Sequence, residues 1–302
     1  MENDLRIGRY LNPFVDFGFK KLFGTEVNKV FLIDFLNQVI KEEGRIKDLQ
    51  YLKTEQLGEK VNDRKAIFDI YCENEKGEKF VVEMQKARQQ YFKDRSLFYV
   101  TYPIREQSSQ KDWNFKLKAI YTICILDFEF PENTENDYFC HKVKLMDVER
   151  KTVFYDKLTF IYLEMPKFRK EEKDLDSLYD KWLYVLKNLS RLNDRPKELR
   201  EKIFEDFFRV AEVAQLTTKE MNKYEEDLKN SRDLRNSLDT AKEEGFGMGL
   251  ERGLERGLER GTEQEKKSIA IKCLQLGMPV DAISQITGLA AGQINTLAQD
   301  KN

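Results

Sequence analysis

Two acidic residues, Asp69 and Glu83, stand within otherwise apolar stretches on either side of a short turn in "KAIFDIYCENEKGEKFVVEMQK", residues 65–86. The turn is predicted at Glu75-Lys76-Gly77, because three-residue hairpin loops commonly place glycine in the left-handed conformation at their end. Pairing the two strands outward from this turn places Asp69 opposite Glu83, with about 5 Å between their Cβ atoms. The spacing therefore predicts two carboxylates side by side in one hairpin.

Two carboxylates at opposed positions repel each other and destabilise a sheet. A divalent cation between them would remove the repulsion, since hard cations such as Mg²⁺ take oxygen ligands and often combine one or two protein carboxylates with a substrate phosphate. A second interpretation stays open, in which this face is solvated and the carboxylates are ordinary surface charges. A shift of register by one residue would also separate the pair.

Alternation of side chains along the strands divides the hairpin into two predicted faces. The face with the carboxylates carries Ile67, Asp69, Tyr71, Val81, Glu83 and Gln85. The other face is apolar and is expected to pack on the core; it carries Phe68, Ile70, Cys72, Phe80, Val82 and Met84.

Composition limits the chemistry that is available. The 302 residues carry a net charge of −2, so the molecule as a whole is not a basic nucleic-acid binder and any such contact needs a local patch. No apolar run approaches the roughly 20 residues that span a bilayer, and "MENDLRIGRY" lacks the apolar core of a signal peptide, so we expect a cytoplasmic protein. The single histidine, His141, excludes HExxH zinc chemistry. A Ser-His-Asp triad would have to use this one histidine. If the protein is an enzyme, metal-assisted hydrolysis with carboxylate ligands is the natural class that is left.

The elements around the hairpin predict an α/β fold. Residues 13–40 are expected to form two helical pieces, 45–57 a first strand, and 89–107 a helix with Pro103 as a kink position. Residues 115–130 form a nearly continuous apolar run, as expected for a strand buried on both faces. Further strands are predicted at 142–148 and 158–165. The order helix, strands, hairpin, helix and buried strand predicts an α/β sandwich with a crossover.

Composition then divides the chain into segments. We expect a first domain at 1–165, a helical extension at 166–232, a repeat at 233–262 and a small tail at 263–302. The repeat "GLERGLERGLERG" has a period of four residues, and its glycines each weaken a helix by about 1 kcal/mol. Two interpretations stay open: a flexible charged linker, or a helix whose glycine stripe allows close helix–helix approach in an oligomer.

The tail has the proportions of a helix-turn-helix. A first helix is predicted to end at Gly277, a second to begin at Pro279, and "TGL" at 287–289 to form a turn before a third. Its last helix offers Gln293 and Asn295 but no arginine or lysine. DNA binding and a packing or association role therefore both stay open for this segment.

Asp69 and the run Glu83-Met84-Gln85 resemble a variant of the PD-(D/E)XK nuclease motif, and the order of elements around them is similar to that superfamily's core. Other segments resemble the Rpn family of recombination-promoting nucleases, also named PD-(D/E)XK nuclease family transposases. These segments are "FVDFGFKKLFG" (14–24), "YFKDRSLFYVTYPIREQ" (91–107), "FIYLEMPKF" (160–168), "YDKWLYVLKNL" (179–189) and the Gly-Leu-Glu-Arg repeats. The resemblance implies a restriction-endonuclease-like α/β core, with a mixed central sheet flanked by helices, followed by an all-α C-terminal extension.

The resemblance also implies roles for individual residues. Asp69, Glu83 and the backbone carbonyl of Met84 would bind Mg²⁺ or Mn²⁺. Asp16 matches the acidic position on the first helix and would complete the metal shell or orient its ligands. Gln85 stands where the superfamily motif has lysine.

The glutamine changes the chemistry, because an amide can orient water and donate a neutral hydrogen bond but cannot supply a positive charge. Either water activated by the metal acts without a protein base, or a nearby cation takes the lysine role. Arg95, followed by Tyr99 one helical turn later, is the preferred cation. It belongs to a basic segment predicted to contact phosphate, Lys86, Arg88, Lys93 and Arg95, although a solvated helix face would look the same.

The function that the resemblance implies is Mg²⁺-dependent endonuclease cleavage of DNA that promotes recombination. DNA is the expected partner, with homo-oligomerisation through the repeat and the tail. Two alternatives remain, a catalytically inactive DNA-binding or assembly protein on the same fold and a nuclease whose target is RNA.

Overall fold

The structure is a computed structural model that describes residues 7–41, 43–56, 66–108, 114–133 and 136–299. The chain divides into two compact units, Met1–Arg232 and Asp233–Asn302, and the boundary falls where the composition changes. The described helices are α1 (Asp16–Phe23), α2 (Lys29–Val39), α3 (Phe92–Gln107), α4 (Leu178–Asn188), α5 (Lys202–Ala211), α6 (Thr218–Gln275), α7 (Val280–Thr287) and α8 (Ala291–Gln299). The described strands are β1 (Leu49–Tyr51), β2 (Glu55–Gln56), β3 (Ala66–Ile67), β4 (Ile70–Asn74), β5 (Lys79–Gln85), β6 (Ile120–Leu126), β7 (Cys140–Asp147) and β8 (Thr152–Glu164).

A mixed six-stranded sheet organises the first unit, in the order β1-β4-β5-β6-β8-β7. Strands β5, β6 and β8 are parallel, and antiparallel strands lie at both edges. Parallel neighbours need a crossover connection, and α3 supplies it between β5 and β6. Every residue of β6 is buried, as its continuous apolar run predicts. The predicted α/β fold with a mixed central sheet is confirmed.

Helices cover both faces of this sheet. One face packs against α1, α2, α4, α5 and the start of α6 in a single large core, whose centre is the fully buried Trp182. The opposite face packs against α3 through two smaller apolar clusters. The helices of residues 166–232 therefore share one core with the sheet.

Helix α1 is held by the start of α6. Its N-cap, Val15, provides no side-chain hydrogen bond, and the Phe17 amide instead donates to Asp227 Oδ2 at 2.8 Å. Lys21 forms an ion pair with Glu220 at 2.5 Å. A carboxylate supplied from a distant helix thus takes the place of a local helix cap.

The β4–β5 hairpin has the predicted register. Tyr71 pairs with Val81 and Cys72 with Phe80, and Gly77 takes the left-handed conformation at φ +76°. The predicted strand at 45–57 is instead two short strands, β1 and β2, and its last residue, Leu57, lies outside the described residues.

Two predictions for the residues before β4 are wrong. Ile67 belongs to β3, where it pairs with Glu55, and so lies outside the ladder with β5. The Phe68 ring is 5.2 Å from that of Tyr71 and lies on the face of the carboxylates, not on the core face. The cause is a break between β3 and β4, where the Phe68 amide donates to the Thr54 carbonyl at 3.0 Å and the chain bends at Asp69.

The Gly-Leu-Glu-Arg repeat lies within α6, so the helix interpretation is the one that the structure shows. Leu250, Leu254 and Leu258 are exposed by 55%, 67% and 74%. Apart from the neighbouring residues and backbone of α6 itself, no described atom lies within 4 Å of the position that a Cβ atom would take on the repeat glycines. The apolar side of the repeat is therefore uncovered within the described chain.

The tail forms the predicted short helices after α6. Gly277 and Gly288 both have positive φ and end a helix, and a small core of Ala270, Ile283, Leu289 and Ile294 joins α6, α7 and α8. None of the described helices combines the length and apolar character needed to cross a membrane.

Candidate active site

Asp69 and Glu83 lie next to each other, at the start of β4 and near the end of β5. The Met84 amide donates a hydrogen bond to Asp69 Oδ2 at 2.7 Å, which ties Asp69 to the residue directly after Glu83. Asp69 lies in the bend between β3 and β4. Glu83 is held by the ladder between β5 and β6, in which it pairs with Cys124. The hairpin and the sheet therefore bring the two carboxylates together.

The pair lies beneath α3 and not in open solvent. Glu83 is 7% exposed, and Asp69 is partly buried. Glu83 Oε1 is buried and has no hydrogen-bond partner among the described residues. The interpretation of these carboxylates as ordinary surface charges is therefore wrong, because the crossover helix covers the face on which they lie.

Burial and mutual repulsion change the proton affinity of both groups. Burial raises the pKa of Asp69 to about 6, although the Met84 amide opposes the change by stabilising the carboxylate. Burial, followed by the charge of Asp69, raises the pKa of Glu83 well above its ordinary value. Arg95 and Lys20 lower the pKa of both groups, so these cations are the ones that favour the ionised pair.

Arg95 lies beside Gln85. One of its terminal nitrogens donates to Gln85 Oε1 and the other to Gln89 Oε1, and the Gln85 amide nitrogen donates to the Ala87 carbonyl at 2.9 Å. The guanidinium also lies 5.6 Å from the centre of the Tyr99 ring. The structure thus places a fixed cation against the glutamine that stands where the family motif has lysine.

Asp16 does not join the pair. It is about half exposed and forms an ion pair with Lys20 at 2.6 Å. Its charge raises the pKa of Asp69, so the two carboxylates are electrostatically coupled. Within the described ranges, however, no three acidic, histidine or cysteine side chains lie close enough together to hold a metal ion.

The basic segment is not a single patch. Lys93 forms an ion pair with Glu132 and lies 4.4 Å from the centre of the Phe130 ring, whereas Arg95 is directed to Gln85. Arg88 is exposed and Lys86 is partly buried. A helix with 3.6 residues per turn separates Lys93 and Arg95 by about 200°, so they cannot act on the same group.

Sequence reasoning missed Lys20. Its charge lowers the pKa of both Asp69 and Glu83, although it belongs to α1, which packs on the opposite face of the sheet from α3. The available signal was its position four residues after Asp16, which puts both on one side of α1. The histidine has no part here, because His141 is paired with the buried Glu164.

The residues present fit a hard divalent cation. Two adjacent carboxylates and an unpartnered buried oxygen on Glu83 are a suitable donor set for Mg²⁺ or Mn²⁺. The N–H and C=O groups of one strand residue face the same neighbouring strand, so the Met84 carbonyl is directed to the side of Asp69. A phosphate and water would supply the remaining ligands, as is usual for Mg²⁺.

The candidate site thus places a partly buried aspartate beside a buried glutamate of a mixed sheet. Comparison with protein-family models identifies the family: the PD-(D/E)XK nuclease family transposase model matches residues 13–241. The chain belongs to this family. Searches of curated proteins and of solved structures returned no match.

We expect the carboxylate pair to destabilise the metal-free protein at alkaline pH. Both pKa values are raised by folding, so the stabilisation by bound protons is complete below about pH 4 and is lost as the pH rises through about 6 for Asp69 and higher for Glu83. Glu83→Gln should therefore stabilise the metal-free protein by about 1–3 kcal/mol at pH 8 and by much less at pH 4.5. Denaturant unfolding at the two pH values measures the difference.

Millimolar Mg²⁺ should reverse this effect in the wild type, because metal and protons compete for the same oxygens. Its stabilisation should be larger at pH 8 than at pH 5 and absent in Glu83→Gln. Asp94→Asn, an exposed acid on α3, is the matched control. Equal stabilisation of all three proteins by Mg²⁺ would contradict a metal site at the pair.

Proposed function

We propose that the protein is a metal-dependent endonuclease that hydrolyses phosphodiester bonds in DNA, with Mg²⁺ or Mn²⁺ as the cofactor. The observation that carries the proposal is the buried pair Asp69 and Glu83, with Glu83 Oε1 left without a protein partner. Membership of the nuclease family supports the reaction class. The transposase part of the family description supports a role in DNA recombination or mobility.

Each residue has a defined task in this proposal. Asp69 and Glu83 hold the cation, with the Met84 carbonyl as a further ligand. The cation supplies Lewis acidity toward the phosphate and lowers the pKa of water. Gln85 orients the attacking water through its amide, and Asp16 acts at a distance through Lys20 and the charge balance of the pair.

Arg95 stabilises the negative charge that develops on the phosphate. A guanidinium has five N–H donors, so the bonds to Gln85 and Gln89 leave donors for a phosphate oxygen. The positive charge then comes from α3 and not from the strand position where the family motif has lysine. Arg88 is exposed and provides a further contact to the DNA backbone, together with Lys86 and Lys93.

Cleavage of supercoiled plasmid tests the reaction. Wild-type protein with Mg²⁺ or Mn²⁺ should nick the plasmid, and Asp69→Asn and Glu83→Gln should each reduce the rate at least about 100-fold, since every 1.4 kcal/mol of lost transition-state stabilisation is a factor of ten. Asp94→Asn should cleave like the wild type. Absence of cleavage by folded wild-type protein would instead favour an inactive DNA-binding or assembly protein.

A labelled RNA of matched length, assayed in parallel, separates the two nuclease interpretations. Preferential RNA cleavage that depends on the same two carboxylates would retain the site and change the substrate.

Arg95→Gln should lower kcat by roughly 10²-fold or more, in the range found when one preorganised charge-stabilising donor is removed. Arg95→Lys should lose less, because the charge is kept while the bidentate geometry is lost. Arg105→Gln, in the last turn of the same helix, controls for the loss of one positive charge. Equal kcat in Arg95→Gln and Arg105→Gln would show that Arg95 has no role at the phosphate.

We also propose that the chain self-associates through α6. The support is the row of exposed leucines, Leu250, Leu254 and Leu258, beside glycines that leave room for close helix approach. Light scattering on the wild type should give at least twice the chain mass, and Leu250→Gln with Leu254→Gln and Leu258→Gln should reduce it. A wild type with the mass of one chain would contradict the proposal.

A further inference from the structure

A cavity of about 330 Å³ lies on the α3 side of the sheet, between α3 and the β7–β8 edge. Its volume is at the lower end of the range for ligand pockets, roughly 300–1,000 Å³. The wall includes the rings of Phe130, Phe160 and Tyr162, with Leu97 and Val143 on the open side. The carboxylate pair is not part of this wall.

The lining combines apolar rings with positive charge. Its basic side chains are Lys93, Lys144 and His141. Lys144 forms a largely buried ion pair with Glu43 at 2.7 Å, and His141 is paired with Glu164, so Lys93 is the basic residue of the lining with an exposed ion pair. Lys93 lies at the Phe130 ring and is half exposed in its ion pair with Glu132, so this pair is an exposed one that adds little stability and can exchange for another anion. An aromatic wall beside one exchangeable cation, Lys93, suits a planar aromatic group that is attached to a phosphate.

The register of the sheet relates the cavity to the carboxylates. Glu83 pairs with Cys124 on β6, Cys124 with Tyr162 on β8, and Tyr162 with His141 on β7. Partners in one row direct their side chains to the same face, and neighbouring strands are about 4.8 Å apart. The cavity residues Tyr162 and His141 therefore lie about 10 and 14 Å from Glu83 along one row, a separation that a few nucleotides span.

Helix α3 lies between the two locations. Arg95 and Tyr99 are on the side of Glu83, whereas Lys93 and Leu97 line the cavity. The Ser96 and Tyr162 hydroxyls are 2.7 Å apart and fix the helix against β8. A strand that passes over the segment before α3, where Arg88 and Tyr91 are exposed, would connect the two locations.

We propose that this cavity binds an unpaired nucleobase of the nucleic-acid substrate, a few nucleotides from the bond that is cleaved. This inference rests on the proposed nuclease function and specifies its substrate. A base inside a duplex is stacked and paired and cannot enter a cavity under a helix, so the base must be single-stranded or extruded. The preferred substrate then has an unpaired stretch beside the cleavage position.

Binding can be tested without cleavage, in the Glu83→Gln protein. The probes are a short single-stranded DNA, the same strand with one abasic position moved along it, and the corresponding duplex. One abasic position should weaken binding roughly tenfold, as expected when one stacked base is lost, and the duplex should bind less tightly than the single strand. A 2-aminopurine at the sensitive position should be quenched on binding.

Val143→Trp fills the cavity from its open side and should remove the sensitivity to the abasic position. Val153→Trp, a matched change at an exposed position of β8 outside the cavity lining, should leave it unchanged. Leu97→Trp provides a second filling variant if Val143→Trp does not fold. Equal affinity for the intact strand and every abasic strand, or the same sensitivity in folded filling variants, would overturn the proposal.

The two proposals fail separately. Base-dependent binding without cleavage of either the plasmid or the bound single strand by the wild type would overturn the nuclease function alone. Metal-dependent cleavage with no base-dependent binding would overturn the cavity assignment alone.

Discussion

The carboxyl groups of Asp69 and Glu83 lie side by side in a place from which bulk water is largely excluded. Two like charges in such a place are unstable together, so the surrounding residues must supply protons or positive charge. The fold supplies cations from two directions, with Arg95 on the crossover helix α3 and Lys20 on α1. The hairpin, the crossover helix and the packing of α1 are thus all needed to keep the two carboxyl groups together.

The local geometry of the pair could be predicted from the sequence, because it depends on short-range rules. Glycine at position 77 fixes the turn, and alternation along two short strands then fixes which residues face each other. The same rules failed at Phe68, where the chain bends to pair with a segment that the hairpin does not contain. The alternation of side chains along a strand does not indicate where the strand ends because its backbone pairs with another segment, here Thr54.

The surroundings of the pair could not be predicted from the hairpin, because they come from elements far apart in the chain. Whether the carboxylates face water or a helix depends on where the crossover helix lies. The sequence of the hairpin is compatible with either arrangement. Lys20 was missed for the same reason, although its partner Asp16 was recognised. Proximity in sequence to Gln85 indicates Arg95 as the cation that replaces the lysine. Its hydrogen bond to Gln85, however, depends on the packing of the first turn of α3 beside the end of β5.

The anchoring of α1 has a consequence for how the protein is made. The Phe17 amide is capped by Asp227, a residue 210 positions later in the chain. At a synthesis rate of roughly 5–20 residues per second, α1 waits about 10–40 s on the ribosome before the carboxylate that caps it has been added. Lys20 lies on α1 and therefore reaches its final position only when α1 is capped. A nascent chain thus contains the β4–β5 hairpin well before all the cations that balance Asp69 and Glu83 are in place. A half-made protein therefore lacks the finished charge balance of the candidate site until the helical extension has been translated and packed.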